Sequence, residues 1–406
     1  MRIHIVTNLF SPDELAGASL FTDLALYLRD AGHEVQVTTT FSYYPAWRLQ
    51  PADQGVDCRD ETFNGIPLRR VSMYVPEKPT GRGRMLSDFS FLVSLLRRGR
   101  FPNWTPDVVL TALPMISQCL AQRFMYPFRG IPRFIVVQDF VAEAALELGI
   151  LRMPGAATLL RGIQRWALRS AQTIATISPE MLKKLELSIG SGRRTLFIPN
   201  WIHKSLQEEI CRQQKLKTTR KQQSLFYAGN LGVKQGLPDF LAQFADAGGA
   251  AMQWQMDIFG GGAEKKRIED AAANTAGVNV GPVLEEEQYI SSLLSATACL
   301  VTQRPGTGAN FLPSKLLPAL ATATPVLAVC DKTSPLAYEV LEGKFGEVIE
   351  PGSATSLMDC LSRWKAHPEL LAAMSQHAVE RAVLYHRDTI LPRYEQELLR
   401  LKKPSA

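Results

Sequence analysis

No CxxC pair and no cysteine-histidine cluster at metal-binding spacing occurs in the sequence. Its six cysteines, at 58, 119, 211, 299, 330 and 360, are scattered and mostly lie inside apolar runs. Neither a disulfide framework nor a cysteine-built zinc site is read from them, and reduced thiols in a cytoplasmic protein are expected. No apolar run reaches the roughly 18 residues that span a bilayer. The N-terminus, MRIHIVTNLF, enters a strand pattern without the apolar core of a signal peptide. Although the formal charge is +6, no Lys/Arg tract is interleaved with aromatics, so no nucleic-acid partner is expected. No GxGxxG follows the first strand, which argues against a dinucleotide. No acidic pair at DxD spacing stands in a candidate site, so neither a metal nor any other cofactor is expected.

What is present is a globular composition, 46% hydrophobic and 21% charged, in 406 residues, more than one core usually carries; two domains follow. Residues 3–7 form a β-branched run followed by a loop with Pro12 and Gly17. Leu20, Leu24, Leu28 and Ala31 then recur at helical spacing, Gly32 stops the helix, and residues 35–39 read as the next strand. This strand, loop, helix, strand order opens a Rossmann-like domain. Gly17, where the helix opens, would let a ligand approach the backbone, or is a plain turn glycine. Residues 40–80 read as loops with short strands, and further strands are read at 106–112, 133–137 and 173–178. Gln138 and Asp139 end the second of these at its carboxyl side, where ligands sit in an open parallel sheet; Asp139 could equally cap VAEAALELG as a helix.

Between Arg82 and Arg100, the side chains Met85, Phe89, Leu92, Val93 and Leu96 share a helical face, with Arg82, Arg84, Arg97, Arg98 and Arg100 at its ends. Such a helix either lies in an anionic headgroup layer or packs on its own core. Residues 203–223 are polar and read as a linker or exposed helix between domains.

A second α/β series begins at residue 224. A strand runs into Gly229-Asn230-Leu231-Gly232-Val233-Lys234-Gln235-Gly236, a second into Gly260-Gly261-Gly262 and a charged helix, and a third into Gly281-Pro282. The stretch from Cys299 to Val329 reads as strand, loop, helix, strand, with Pro313-Ser314-Lys315 at the helix start, Ser314 as its N-cap and Lys315 in its first turn. Alone, this is either a capped surface helix with a solvated lysine or a phosphate site. The convergence of two glycine-rich loops on the same sheet edge favours the phosphate-bearing ligand.

In order, the early strand with Gly17, AGNLGVKQG, FGGGAEKKRIED and PSKLLPALATATPVLA resemble a glycosyltransferase of the GT-B fold, and specifically the large retaining family numbered 4. SPDELAG, TTTFSYYPAW, VQDF, TISPEM and FIPNW are similar to its bacterial exopolysaccharide and O-antigen branch, which includes the colanic-acid fucosyltransferase. The resemblance covers essentially the whole chain. It implies two Rossmann-like α/β domains with parallel sheets facing across a cleft: an acceptor domain over 1–202, the linker 203–223, a donor domain over 224–385, and a C-terminal helix over 386–406 packing back on the first domain. It also implies transfer from a GDP- or UDP-sugar to a lipid-linked saccharide, by a cytoplasmic enzyme peripheral on the inner face of the plasma membrane.

The catalytic residues so implied are Lys315, Lys234 and Asp139. The donor residues are Gly17, Gly229, Asn230, Gly260, Gly261, Gly262, Gly281, Pro282, Asn310, Pro313 and Ser314. The sequence departs from the family at Pro318 and Asn310, where two acids are usual, at Ala323 for a glycine, at Asn230 for an arginine, and at Gln138-Asp139 for a histidine. A sugar-nucleotide epimerase of the same fold and a non-catalytic partner subunit are the alternative readings.

Overall fold

In the computed structural model, residues 1–13, 16–44, 46–77, 80–126, 130–140, 155–190, 192–216, 220–308 and 312–402 are described. The chain divides into two compact units, Met1–Asn200 with Ile390–Ala406, and Trp201–Thr389.

The first unit is built on β1 (Arg2–Val6), β2 (Glu34–Thr40), β3 (Cys58–Phe63), β4 (Ile66–Val71), β5 (Val108–Leu113), β6 (Arg133–Val137), β7 (Thr173–Thr176) and β8 (Arg194–Phe197). Their order is β3-β4-β2-β1-β5-β6-β7-β8, with β3 antiparallel to β4 and every other pair parallel. The strand order reverses at β1, which has β2 on one side and β5 on the other. The stretch expected to be loops with short strands contains the β3–β4 hairpin; Asn64 and Gly65, both at positive φ, make the two-residue turn that sets its register.

Its helices are α1 (Ala16–Asp30), α2 (Gly81–Arg98), α3 (Ile116–Met125), α4 (Ala156–Leu168) and α5 (Pro179–Ile189). Alternation along β6 serves both sheet faces. Ile135 and Val137 join the core made with α3, α4 and α5, while Phe134 stacks on Tyr394 of the C-terminal helix Arg387–Leu401 with ring centroids 5.9 Å apart. That helix is fastened further by Arg194, which donates to both carboxylate oxygens of Glu397 at 2.6 and 2.7 Å. On α2 the core-facing stripe is Ser87, Phe91 and Leu95. Of the apolar face read from the sequence, Leu92 is half-buried and Met85, Phe89, Val93 and Leu96 are exposed, joined by Leu86.

The second unit is an all-parallel sheet of β9 (Ser224–Asn230), β10 (Gln255–Gly261), β11 (Val278–Gly281), β12 (Ala298–Thr302), β13 (Val326–Val329) and β14 (Gly346–Ile349), in the order β11-β10-β9-β12-β13-β14. The helices α6 (Lys204–Gln214), α7 (Leu237–Asp246), α8 (Lys265–Ala273), α9 (Glu286–Ser295) and α10 (Leu316–Ala321) flank it. Phe226, Cys299 and Val301 face one core, with α6, α9 and α10, and Leu225, Tyr227 and Leu300 the other, with α7 and α8. Part of the 203–223 stretch is thus no exposed connector. Its helix α6 is polar on the faces that meet water, and it seats Leu206 and Ile210 in the second unit's core. Among the described residues, no helix is long and apolar enough to cross a membrane.

Candidate active site

Strands β9 and β10 run in register to their last pair, Asn230 and Gly261, and in the pair before it Gly229 stands opposite Gly260. Two backbones meet there with no room for a side chain: a Cβ on Gly260 would stand 1.9 Å from the carbonyl oxygen of Gly229, and both residues hold positive φ, +132° and +154°. The other side of Gly229 is occupied by Lys315, whose Nζ lies 3.0 Å from the place a Cβ would take. Beyond the glycines, Leu231 N–H donates to Gly261 carbonyl at 2.9 Å and Glu264 N–H to Leu231 carbonyl at 2.8 Å. Asn230 is exposed beside Gly262. Gly281, at the end of β11, is a packing glycine, since a Cβ there would meet the Phe259 ring at 2.4 Å, and Pro282 beyond it is exposed.

Lys315 reaches this edge from the loop between β12 and β13. Its ammonium lies 4.6 Å from the centroid of the Tyr227 ring and near the buried thiol of Cys299. The Tyr227 hydroxyl is itself engaged, donating to the Asn230 carbonyl at 2.8 Å. Among the described residues no carboxylate pairs with Lys315, and burial lowers its pKa from 10.5 to about 8. Cation-π attraction offsets part of the desolvation cost, but an anion would offset far more. Tyr227 is a residue the sequence did not single out. Its only sequence signal is an aromatic with a polar tip two positions before a strand-ending glycine.

The cap expected at Ser314 is not formed. Ser314 is exposed, the cap position falls to Lys315 without a side-chain capping bond, and α10 has only six residues. The cause is local: Leu316 N–H donates to the Pro313 carbonyl at 3.2 Å, closing a turn over Ser314 and Lys315, so the cap moves one residue on and the helix starts at Leu316. Pro318 then falls in the first helical turn, where a missing N–H costs nothing. So short a helix contributes little dipole, and the site's positive potential rests on side-chain cations.

Lys234 sits in the turn after β9, and its carbonyl accepts from Arg304 N–H at 2.7 Å, which ties that turn to the loop after β12. Arg304, exposed on the same carboxyl edge, is a second cation the sequence reading passed over, although QRPG after an apolar strand is a signal for it. Asn310 and the VAEAALELG stretch lie outside the described residues.

In the first unit, Gly17 lies in the opening turn of α1, and nothing stands within 4 Å of the place its Cβ would take. Asp139 follows β6, next to Gln138, whose amide exchanges two hydrogen bonds of 2.8 Å with Asn200. Among the described residues no group of three or more His, Cys, Asp and Glu is placed to hold a metal.

The family model of the Glycosyl transferase 4-like domain matches residues 17–201, and that of the Glycosyl transferases group 1 matches residues 208–381. The putative colanic acid biosynthesis glycosyl transferase WcaI of Escherichia coli (strain K12) is 28% identical over 341 residues, 79% of this chain and 81% of that protein. Among solved structures, the sucrose-phosphate synthase (tll1590) of Thermosynechococcus elongatus aligns over 99% of both chains with a TM-score of 0.73 and 15% identity. Anabaena Alr3699/HepE in complex with UDP-glucose aligns over 98% of this chain and 100% of that one, with a TM-score of 0.66 and 13% identity. The two structural likenesses speak to the fold. With both family models matched in order on a pair of parallel-sheet α/β units, the chain belongs to the glycosyltransferases of GT-B fold, a glycosyl transferase 4-like domain followed by a glycosyl transferases group 1 domain.

Proposed function

We propose that this glycosyltransferase moves a sugar, with retention at the anomeric carbon, from a nucleoside diphosphate sugar to a lipid-linked saccharide in bacterial surface polysaccharide synthesis. The observation that carries the reading is Lys315, a partly buried cation that lies over the Tyr227 ring, beside the glycine ends of β9 and β10. As the bond to the anomeric carbon breaks, charge grows on the leaving diphosphate, and a cation fixed there stabilises the transition state more than the ground state. Lys315 and Lys234 take that role. Gly229, Asn230, Gly260, Gly261, Gly262, Gly281 and Pro282 line the donor, and Pro313 and Ser314 form the turn that carries the lysine. Gly17 admits the sugar to the backbone, and Asp139 orients the acceptor hydroxyl. The UDP-glucose in the HepE complex supports the donor class, and the colanic-acid setting in the name of WcaI supports the pathway class.

Because cations serve the diphosphate, no divalent metal is required. Release of free nucleoside diphosphate from a panel of GDP-, UDP- and dTDP-sugars, with a lipid-linked acceptor and with EDTA, tests this. Turnover of one donor that survives EDTA is expected. A strict need for Mg²⁺ or Mn²⁺ would remove the cation mechanism, and conversion of the donor without acceptor would make the chain an epimerase.

A lipid-linked acceptor places the protein on the cytoplasmic face of the membrane. α2 is the means: its exposed Met85, Leu86, Phe89, Val93 and Leu96 enter the headgroup layer. Each arginine near its ends adds about 1 kcal/mol at an anionic surface. Co-sedimentation with anionic liposomes, weakening with salt and lost when Arg97, Arg98 and Arg100 are all changed to Glu, is the expected result. Equal binding by that variant would assign α2 to core packing.

A further inference from the structure

We infer that α4 is a second membrane-docking element, and that α2, α3 and α4 make up one face that takes an anionic bilayer surface. The inference rests on the peripheral-membrane reading above and extends it to a helix the sequence did not point to.

On α4 the two sides differ sharply. Gln164, Ala167 and Leu168 are buried, whereas Leu159, Ile163 and Trp166, spaced i, i+4 and i+7, are 67%, 37% and 46% exposed. Gly155 and Gly162, lacking side chains, leave a shallow apolar hollow along this ridge. Phe124 of α3 extends the ridge, 47% exposed, with its ring 5.9 Å from Trp166, and the Arg123 guanidinium lies over the Trp166 indole at 5.3 Å. α3 packs against both α2 and α4, so this ridge and the apolar strip of α2 are neighbours on one side of the sheet. Right-handed crossovers along β4, β5, β6 and β7 put the three helices on that side. Scattered exposed leucines need no explanation, but a run of this size marks a contact surface.

The charge pattern selects the partner. The three helices carry a single acidic residue, Asp88, and its carboxylate accepts from the N–H groups of Ile116 and Ser117 at 3.2 and 2.9 Å. The charged residues of α3 and α4 themselves are all arginines, Arg123, Arg161 and Arg165, and all three are exposed. An aromatic and aliphatic strip collared by arginines matches the boundary between acyl chains and anionic headgroups, with the indole at the interface and guanidinium groups on phosphates.

The test uses the full-length chain and vesicles of phosphatidylcholine alone or mixed with phosphatidylglycerol. Two variants carry Leu159→Glu with Ile163→Glu, and Arg161→Glu with Arg165→Glu; the Arg97, Arg98, Arg100 to Glu variant runs beside them. All seven sites chosen for charge reversal or insertion carry exposed side chains, and unchanged thermal unfolding controls for the fold. Each α4 variant is expected to bind mixed vesicles at least tenfold more weakly than wild type. Mixed vesicles should also blue-shift the tryptophan emission, a shift that Trp166→Phe removes. Loss of binding in the α2 variant alone overturns this inference while leaving α2 as the membrane element. Absence of wild-type binding overturns both, and equal binding to neutral vesicles overturns the choice of an anionic surface. A concentration-dependent dimer abolished by Leu159→Glu with Ile163→Glu would give the face to a second copy of the chain instead.

Discussion

Lys315→Ala is expected to lower kcat/KM by roughly 2–4 kcal/mol, about 30- to 1,000-fold, the range for removing one electrostatic donor from a developing charge. The ammonium is held between the Tyr227 ring and Gly229, and burial lowers its pKa to about 8. In the free protein it is charged below pH 8 and loses its proton as pH rises through that value. kcat/KM, which reports the free enzyme, should therefore fall about tenfold per unit above that point. A bound diphosphate favours the charged form, so the corresponding limb in kcat lies at higher pH. Both limbs should vanish in Lys315→Ala. Stability runs the other way. The unfolded lysine keeps its proton up to 10.5 while the folded one releases it near 8, so this residue's contribution to stability rises with pH between those values. Ser314→Ala, at an exposed position without a capping bond, is the control and should stay near wild type. A pH-rate profile that keeps its alkaline limb in Lys315→Ala would deny the lysine this role.

What was legible in the sequence follows from how local each signal is. The parallel strands read as short apolar runs because both faces of each sheet are covered, and glycines after β9 and β10 announced the carboxyl edge. Features that depend on a partner distant in sequence were not legible. Tyr227 looks like any strand residue until Lys315, 88 positions later by numbering, is laid on its ring. Ser314-Lys315 has the composition of a helix start, and only the turn closed by Leu316 and Pro313 moves that start to residue 316. The polar stretch around α6 hid its allegiance because two buried residues, Leu206 and Ile210, are enough to anchor it to a neighbouring core. On α4, a helix the sequence reading did not single out, which side is covered is decided by packing against α3 and α5. Ala323 is a departure with a visible cost: it holds φ +54°, where the resemblance would have a glycine.

Two of the glycines read as donor contacts, Gly260 and Gly17, should respond to alanine in opposite ways. At Gly260 the new Cβ meets the Gly229 carbonyl oxygen at 1.9 Å, backbone against backbone, at a φ of +154° that an L side chain rarely adopts. Neither strand can yield without opening the β9–β10 ladder. Gly260→Ala should thus destabilise the second unit by roughly 3 kcal/mol, the sum of a strained backbone and an overpacked contact, and abolish donor turnover through the fold. At Gly17 no atom lies within 4 Å of the new Cβ, and the residue is helical, so alanine should raise helix stability by up to about 1 kcal/mol. If the space beside Gly17 is where the sugar meets the backbone, Gly17→Ala loses turnover while its thermal midpoint holds or rises, a combination no folding defect produces. Urea and thermal unfolding measured alongside kcat/KM separate the two cases. Full activity in Gly17→Ala would make it a plain helix-start glycine, and wild-type stability in Gly260→Ala would mean that the β9 and β10 ends are not locked as described.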